Sequence, residues 1–127
     1  MNNQLTVYYG NGEVRRGPIG VDLSQFGVMS VPLENPERAN IRDLKKWFVR
    51  MFSLDPNIYS VIVRCLFCKS VEPLIWDLLT IERSKQWTRW VDWCRRSNAP
   101  LTILVQAYGR DECVGESSSS VVTLSCC

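Results

Sequence analysis

No histidine occurs among the 127 residues. That absence removes Ser-His and Cys-His nucleophile pairs, histidine-ligated zinc and imidazole proton shuttles together. No apolar run approaches the roughly 18 residues needed to span a bilayer. The opening "MNNQLTVYYG" has neither a basic n-region nor an apolar h-region, so no secretory signal and no membrane role are expected. No glycine-rich phosphate loop follows a strand pattern, and no pair of carboxylates has a spacing suited to acid-base work. The expectation is a protein that is not an enzyme, with no cofactor, no metal and no small-molecule substrate. Net charge is scarce as well. At +2 it does not by itself indicate a polyanionic partner.

What is present suits one packed domain. Apolar residues make up 46% and charged residues 22% of the chain, which argues against wholesale disorder. Arginines outnumber lysines eleven to four, a bias that favours fixed ion pairs over diffuse solvation. Six cysteines in a chain without a signal read as reduced thiols, so an intracellular protein is expected.

The order of elements is legible from periodicity. "LTVYYGNGEVRR" reads as a hairpin, with Leu5, Val7 and Tyr9 alternating against Thr6 and Tyr8 and Asn11-Gly12 in the tight turn. A short extended piece, "VMSVPL" (28 to 33), follows Gly17-Pro18 and Gly20. The spacing of Ile41, Leu44, Phe48, Met51 and Phe52 predicts a helix capped by Asn40, with Trp47 on its flank. "SVIVRCLFCK" (60 to 69) and "LIWDLLTI" (74 to 81) read as antiparallel strands. A second helix over "SKQWTRWVDWCRRS" is expected to be capped by Ser84 and halted by Asn98 and Pro100. "LTILVQAY" (101 to 108) is a nearly continuous apolar strand suited to a sheet centre. From residue 109 the serine- and cysteine-rich remainder reads as a flexible tail or linker. The pattern is α+β, ββαββαβ, with a domain over 1–108.

Three tryptophans within seven positions of the second helix, interleaved with basic residues, raise the question of a base-stacking platform. On a helical wheel Trp87, Trp90, Val91 and Cys94 share an arc of about 100°, the width of a core stripe. Lys85, Arg89, Asp92 and Arg96 lie opposite, where an ion-pair ladder solvates the helix. Trp87 and Trp90 therefore read as core. Trp93 falls off both arcs and is open between half-buried packing and a partner-facing anchor.

Cys65-x-x-Cys68 has a metal-like spacing, but residues three apart on a strand face opposite ways, so burial of a thiol as a small apolar group is preferred. Cys126-Cys127 resembles the double-cysteine end that some small GTPases have prenylated, although no GTPase phosphate loop is present. Arg15 and Arg16, adjacent on a strand, also face opposite ways, so at most one joins any single basic patch.

The element order, together with "LTVYYGNGEVRR", "GVDLSQF", "LKKWF" and "W..W...CR..N.P..ILVQAY", resembles the ubiquitin-like β-grasp. More narrowly it resembles the Phox/Bem-like domain at the N-terminus of plant Mutator-like (MuDR-type) transposases and genes derived from them. The resemblance spans roughly residues 4 to 108. It implies a mixed sheet with two helices on one face and the last strand beside the first. It also implies a nuclear, non-catalytic protein-interaction module, associating with itself or with another protein, in which Arg15 and Arg16 bind the partner; Trp93, from its place on the helix flank, is the further candidate partner-binding residue. Members associate front to back, a basic surface on the first two strands meeting an acidic loop. Here "LTVYY" lacks the family's lysine and no acidic cluster precedes the second helix, which points to a basic half alone or to a different interface. The competing expectation is a nucleic-acid-binding accessory domain using Arg42, Lys46 and Arg50 on the first helix with Lys85, Arg89 and Arg96 on the second.

Overall fold

The computed structural model describes residues 4–18 and 20–109. Seven strands and two helices occur in the order β1 (Gln4–Tyr9), β2 (Arg15–Gly17), β3 (Gly20–Asp22), β4 (Gly27–Pro32), α1 (Ile41–Met51), β5 (Tyr59–Ser70), β6 (Ile75–Ile81), α2 (Ser84–Ser97) and β7 (Leu101–Gly109). A single 3-10 turn over Pro36–Arg38 precedes α1. The strands form one curled mixed sheet in the order β2-β3-β6-β5-β7-β1-β4. The fold is α+β. No helix of the described residues is long and apolar enough to cross a membrane.

Both helices pack on one face. Leu5, Val7, Val61, Val63, Cys65, Ile103 and Val105 from the sheet share one core with Phe48 of α1 and with Trp87, Val91 and Cys94 of α2. β7 lies between β5 and β1, antiparallel to the first and parallel to the second. Five successive residues, Leu101 to Val105, are buried on both faces, which explains why this strand shows no alternation.

The helices begin by different devices. Asn40 accepts hydrogen bonds from the backbone N–H groups of Arg42 and Asp43, as its sequence position implies. Ser84 does not cap α2, contrary to expectation. It is already helical, and its hydroxyl accepts from the Ile41 N–H at 3.1 Å, so it closes the start of α1 from across the core. The Gln86 side chain takes over at α2, accepting from the N–H groups of Glu82 and Arg83. Asn98, at φ 53°, ends the helix as the sequence predicts.

The expected first hairpin does not form. β1 pairs with β4, from Gln4 opposite Pro32 to Tyr9 opposite Gly27, and "GEVRR" goes elsewhere. Val31 explains the choice. It comes down beside Leu5 and is buried in the helix-side core, whereas a hairpin turned at Asn11-Gly12 would set Arg16 beside Val7 on that face. Burial of apolar side chains at long range outweighs a local turn preference.

Residues 10–14 and 23–26 instead cross the face of the sheet opposite the helices. Leu23 and Phe26 lie over Leu104, which is fully buried, with Tyr8, Val14 and Leu78 around them. Without those segments the face would present Tyr8, Leu78 and Leu104 to solvent. Its centre is covered by the chain itself. Between the two crossings lies the β2–β3 hairpin, which adds to the far edge through one parallel pairing, Gly20 with Trp76. These two extra strands turn the expected five-stranded sheet into seven.

Candidate interaction surface

β5 is twelve residues long, but it pairs with β7 only from Tyr59 to Cys65. Beyond that its ladder partner is β6 alone, from Leu66 opposite Leu78 to Ser70 opposite Ile75. The ladder with β7 stops at Ile103, two residues inside a strand that begins at Leu101, where β7 takes Leu5 of β1 as partner. The outer half of the β5–β6 hairpin thus extends beyond β7 as an arm, unpaired with β7 along β5 and joined on its β6 side by β3 at Trp76. Where the β7 ladder stops, the Trp90 indole N–H donates to the Leu66 carbonyl at 2.8 Å.

The arm holds a concentration of exposed apolar side chains. Large hydrophobic residues are well exposed at five described positions, and three of them, Val71 (77%), Leu74 (49%) and Leu79 (42%), belong to this one hairpin. At its base Phe67 and Leu79 meet Gln86, Arg89, Trp90 and Trp93 of α2 around a shallow groove. Trp93 is half-buried and packs against the core from the groove side. Burial of Trp87 and Trp90 agrees with the helical wheel. Arg96 pairs with Asp92 at 3.0 Å, one rung of the anticipated ladder, while Arg89 stands at the groove rim.

Arg15 and Arg16 do face opposite ways, but not on a strand beside β1. Arg16 reaches from β2 to Asp77 of β6 with 2.9 Å between Nη1 and Oδ1. Phe67, the register partner of Asp77, lines the Trp93 groove, so Arg16 and Trp93 both meet the arm. Arg15 does not join them. It lies opposite Asp22, and the Gln25 amide, with its oxygen turned toward the guanidinium, accepts from it at 3.1 Å.

The Asp77 carboxylate is held below its usual range, first by the hydrogen bond from the Leu78 N–H and then by Arg16. A depressed folded-state pKa stabilises the fold fully above the unfolded-state value, near 3.9, and that contribution is lost as pH falls through the folded value. Arg16 is well exposed, so the pair is worth a few tenths of a kcal/mol up to about 1. Asp77→Asn is expected to speed amide exchange of β3 about two- to fivefold at neutral pH. The effect should vanish in acid. Equal rates in the two proteins at neutral pH would discard the tether.

Two of the described thiols are chemically quiet. Cys65 and Cys94 are buried in the helix-side core. Burial pushes the Cys65 thiol well above its ordinary range and Cys94 up to about 12, so neither is a thiolate at neutral pH. Cys68 faces the other way and donates to the Ser70 carbonyl at 3.1 Å. Among the described residues no three potential metal ligands cluster. Cys126-Cys127 and the tail beyond Gly109 lie outside the described residues.

A second groove runs along α1, where Arg42, Lys45, Lys46 and Arg50 line a concavity with Val49, Pro56 and Ser60, and Asp43 is its one acid. None of the α2 cations contributes to it. Sequence reasoning therefore located the α1 half of a basic patch but not a joint patch of both helices. It missed Val71, Leu74 and Leu79 altogether. "VEPL" offered a signal, since apolar residues flank an acid and a proline in a turn. Leu79 gave none, because "LIWDLLTI" is apolar on both faces.

Residues 1–56 match a family described as a domain of unknown function (DUF1979). No curated protein and no solved structure matches the chain.

Proposed function

We propose that the chain is a non-catalytic protein-interaction module that docks partners on the β5–β6 arm and the Trp93 groove. One observation carries this reading: three of the five well-exposed large apolar side chains among the described residues lie on a hairpin that extends beyond β7, beside a half-buried tryptophan. Scattered single apolar residues need no explanation, but three on one hairpin, one of them lining a groove with a half-buried tryptophan, have the composition of a binding surface.

We further read the domain as a β-grasp of the Phox/Bem type, from a nuclear protein derived from a plant Mutator-like transposase. Support comes from the interior position of β7, parallel to β1, and from the two helices on one face. β2 and β3 are then an insertion between the first two strands of the grasp. That insertion carries Arg15 and Arg16 to the far edge and commits Arg16 to Asp77. The basic front surface of such domains is accordingly replaced here by the arm.

The test is a photoreactive amino acid placed at Leu79 in one variant and at Lys46 in another. The reading predicts a discrete protein adduct from position 79 and none from position 46. A second reading, nucleic-acid binding, rests on the cationic α1 groove. It predicts the reverse, with nucleic acid crosslinked at position 46. The near-neutral net charge and the absence of α2 cations from that groove favour the arm.

A further inference from the structure

Building on the reading of the arm as a docking surface, we propose that its occupant is a second copy of this chain, each copy seating its hairpin tip in the other's Trp93 groove. The chain carries both halves of the contact. At the tip, Val71 and Leu74 are exposed with Glu72 between them, and Glu72 makes no ion pair among the described residues. At the base, Phe67, Leu79 and Trp93 form an apolar floor rimmed by Arg89, which is exposed and likewise unpaired among the described residues. An apolar-acid-apolar tip faces an apolar groove with a cation at its edge.

A tip cannot enter its own groove. Four residues of strand separate Phe67 from Val71, about 13 Å at the usual rise, and the β5–β6 ladder holds the arm extended. A two-fold axis resolves this, because the tip-to-base separation is the same in both copies. Two arms laid antiparallel place each tip over the other's base, and every contact occurs twice. The outer half of β5, which β7 leaves unpaired on one side, then faces its own counterpart.

The test uses the full chain with its thiols kept reduced, by sedimentation equilibrium over a range of concentrations. Wild type is expected to double in mass. Glu72→Arg and Arg89→Glu each put like charges together at two symmetric places and should raise the dimer dissociation constant about tenfold or more. Glu72→Arg combined with Arg89→Glu should return it to within about threefold of wild type. Both positions are exposed, so thermal unfolding of all four proteins should coincide at concentrations well below the dimer dissociation constant, where each is monomeric. A monomer at every concentration overturns the proposal, as does a dimer indifferent to the single reversals or one not restored by the double. Occupation of the groove by another segment of the same chain would appear as such a monomer. A foreign-protein adduct from position 79 would reject the second copy but retain the interaction module, whereas no adduct at all would reject both.

Discussion

Trp87→Ala is expected to cost about 3–5 kcal/mol of folding stability. Trp87 is fully buried and is the largest side chain of the core to be so. Its indole N–H donates to the Pro36 carbonyl at 2.7 Å, tying α2 to the turn that precedes α1. Its ring lies against Trp90, with centroids 5.2 Å apart and planes tilted by 52°. Alanine would leave a cavity and strip a buried carbonyl of its donor at the same time. Trp87→Phe separates these effects. It keeps most of the apolar volume and loses the hydrogen bond, so a cost of about 1–3 kcal/mol is expected. Domains of this size have about 5–15 kcal/mol in hand, so the alanine variant should lose a large share of its stability. Urea denaturation reads the result as a lowered midpoint at constant slope. A loss below 1 kcal/mol for alanine would mean that Trp87 does not join the two helical segments as described.

Gly20→Ala should detach the β2–β3 hairpin from the sheet. Gly20 sits at φ +111°, and a Cβ there would fall 1.9 Å from the Trp76 carbonyl oxygen and 2.7 Å from its nitrogen. Both are backbone atoms of β6, so no side-chain rotation relieves the clash. The one bridge between β3 and β6 must break, taking the Arg16–Asp77 pair with it. The cost is expected to reach about 1–3 kcal/mol, limited by what the hairpin contributes when docked. Gly17→Ala is the control. It lies on the same small hairpin, and a Cβ there meets nothing within 4 Å, so a change within about 0.5 kcal/mol is expected. Hydrogen exchange at Val21 and Trp76 would follow the detachment. Protection unchanged in Gly20→Ala would contradict the pairing.

The two helices could be read from sequence because each has one buried face and a polar opposite face. Val49 was the omission in α1, where it packs into the core while Met51 is only half-buried. β7 was legible as a run buried on both faces. The first hairpin was misread because Asn11-Gly12 is a strong local turn signal, whereas the true partner of β1 lies at residues 27–32 and is chosen by burial of Val31. No local pattern announces that residues 10–14 and 23–26 cross the sheet, since Leu23 and Phe26 acquire their meaning only over Leu104. Ser84 was assigned to the wrong helix because its hydroxyl acts 43 residues away. Of the residues singled out for binding, Trp93 and Arg16 meet the arm and Arg15 does not. The arm itself was invisible because a strand pattern does not say where a neighbouring strand stops.

The most direct test of the account is the crosslinking yield at Leu79 set against that at Lys46, in otherwise identical full-length chains. The arm predicts a protein adduct of defined mass at position 79, lost when Trp93 is replaced by alanine, and none at position 46. An adduct at position 46 with none at position 79 would contradict it and place the function in the cationic groove of α1.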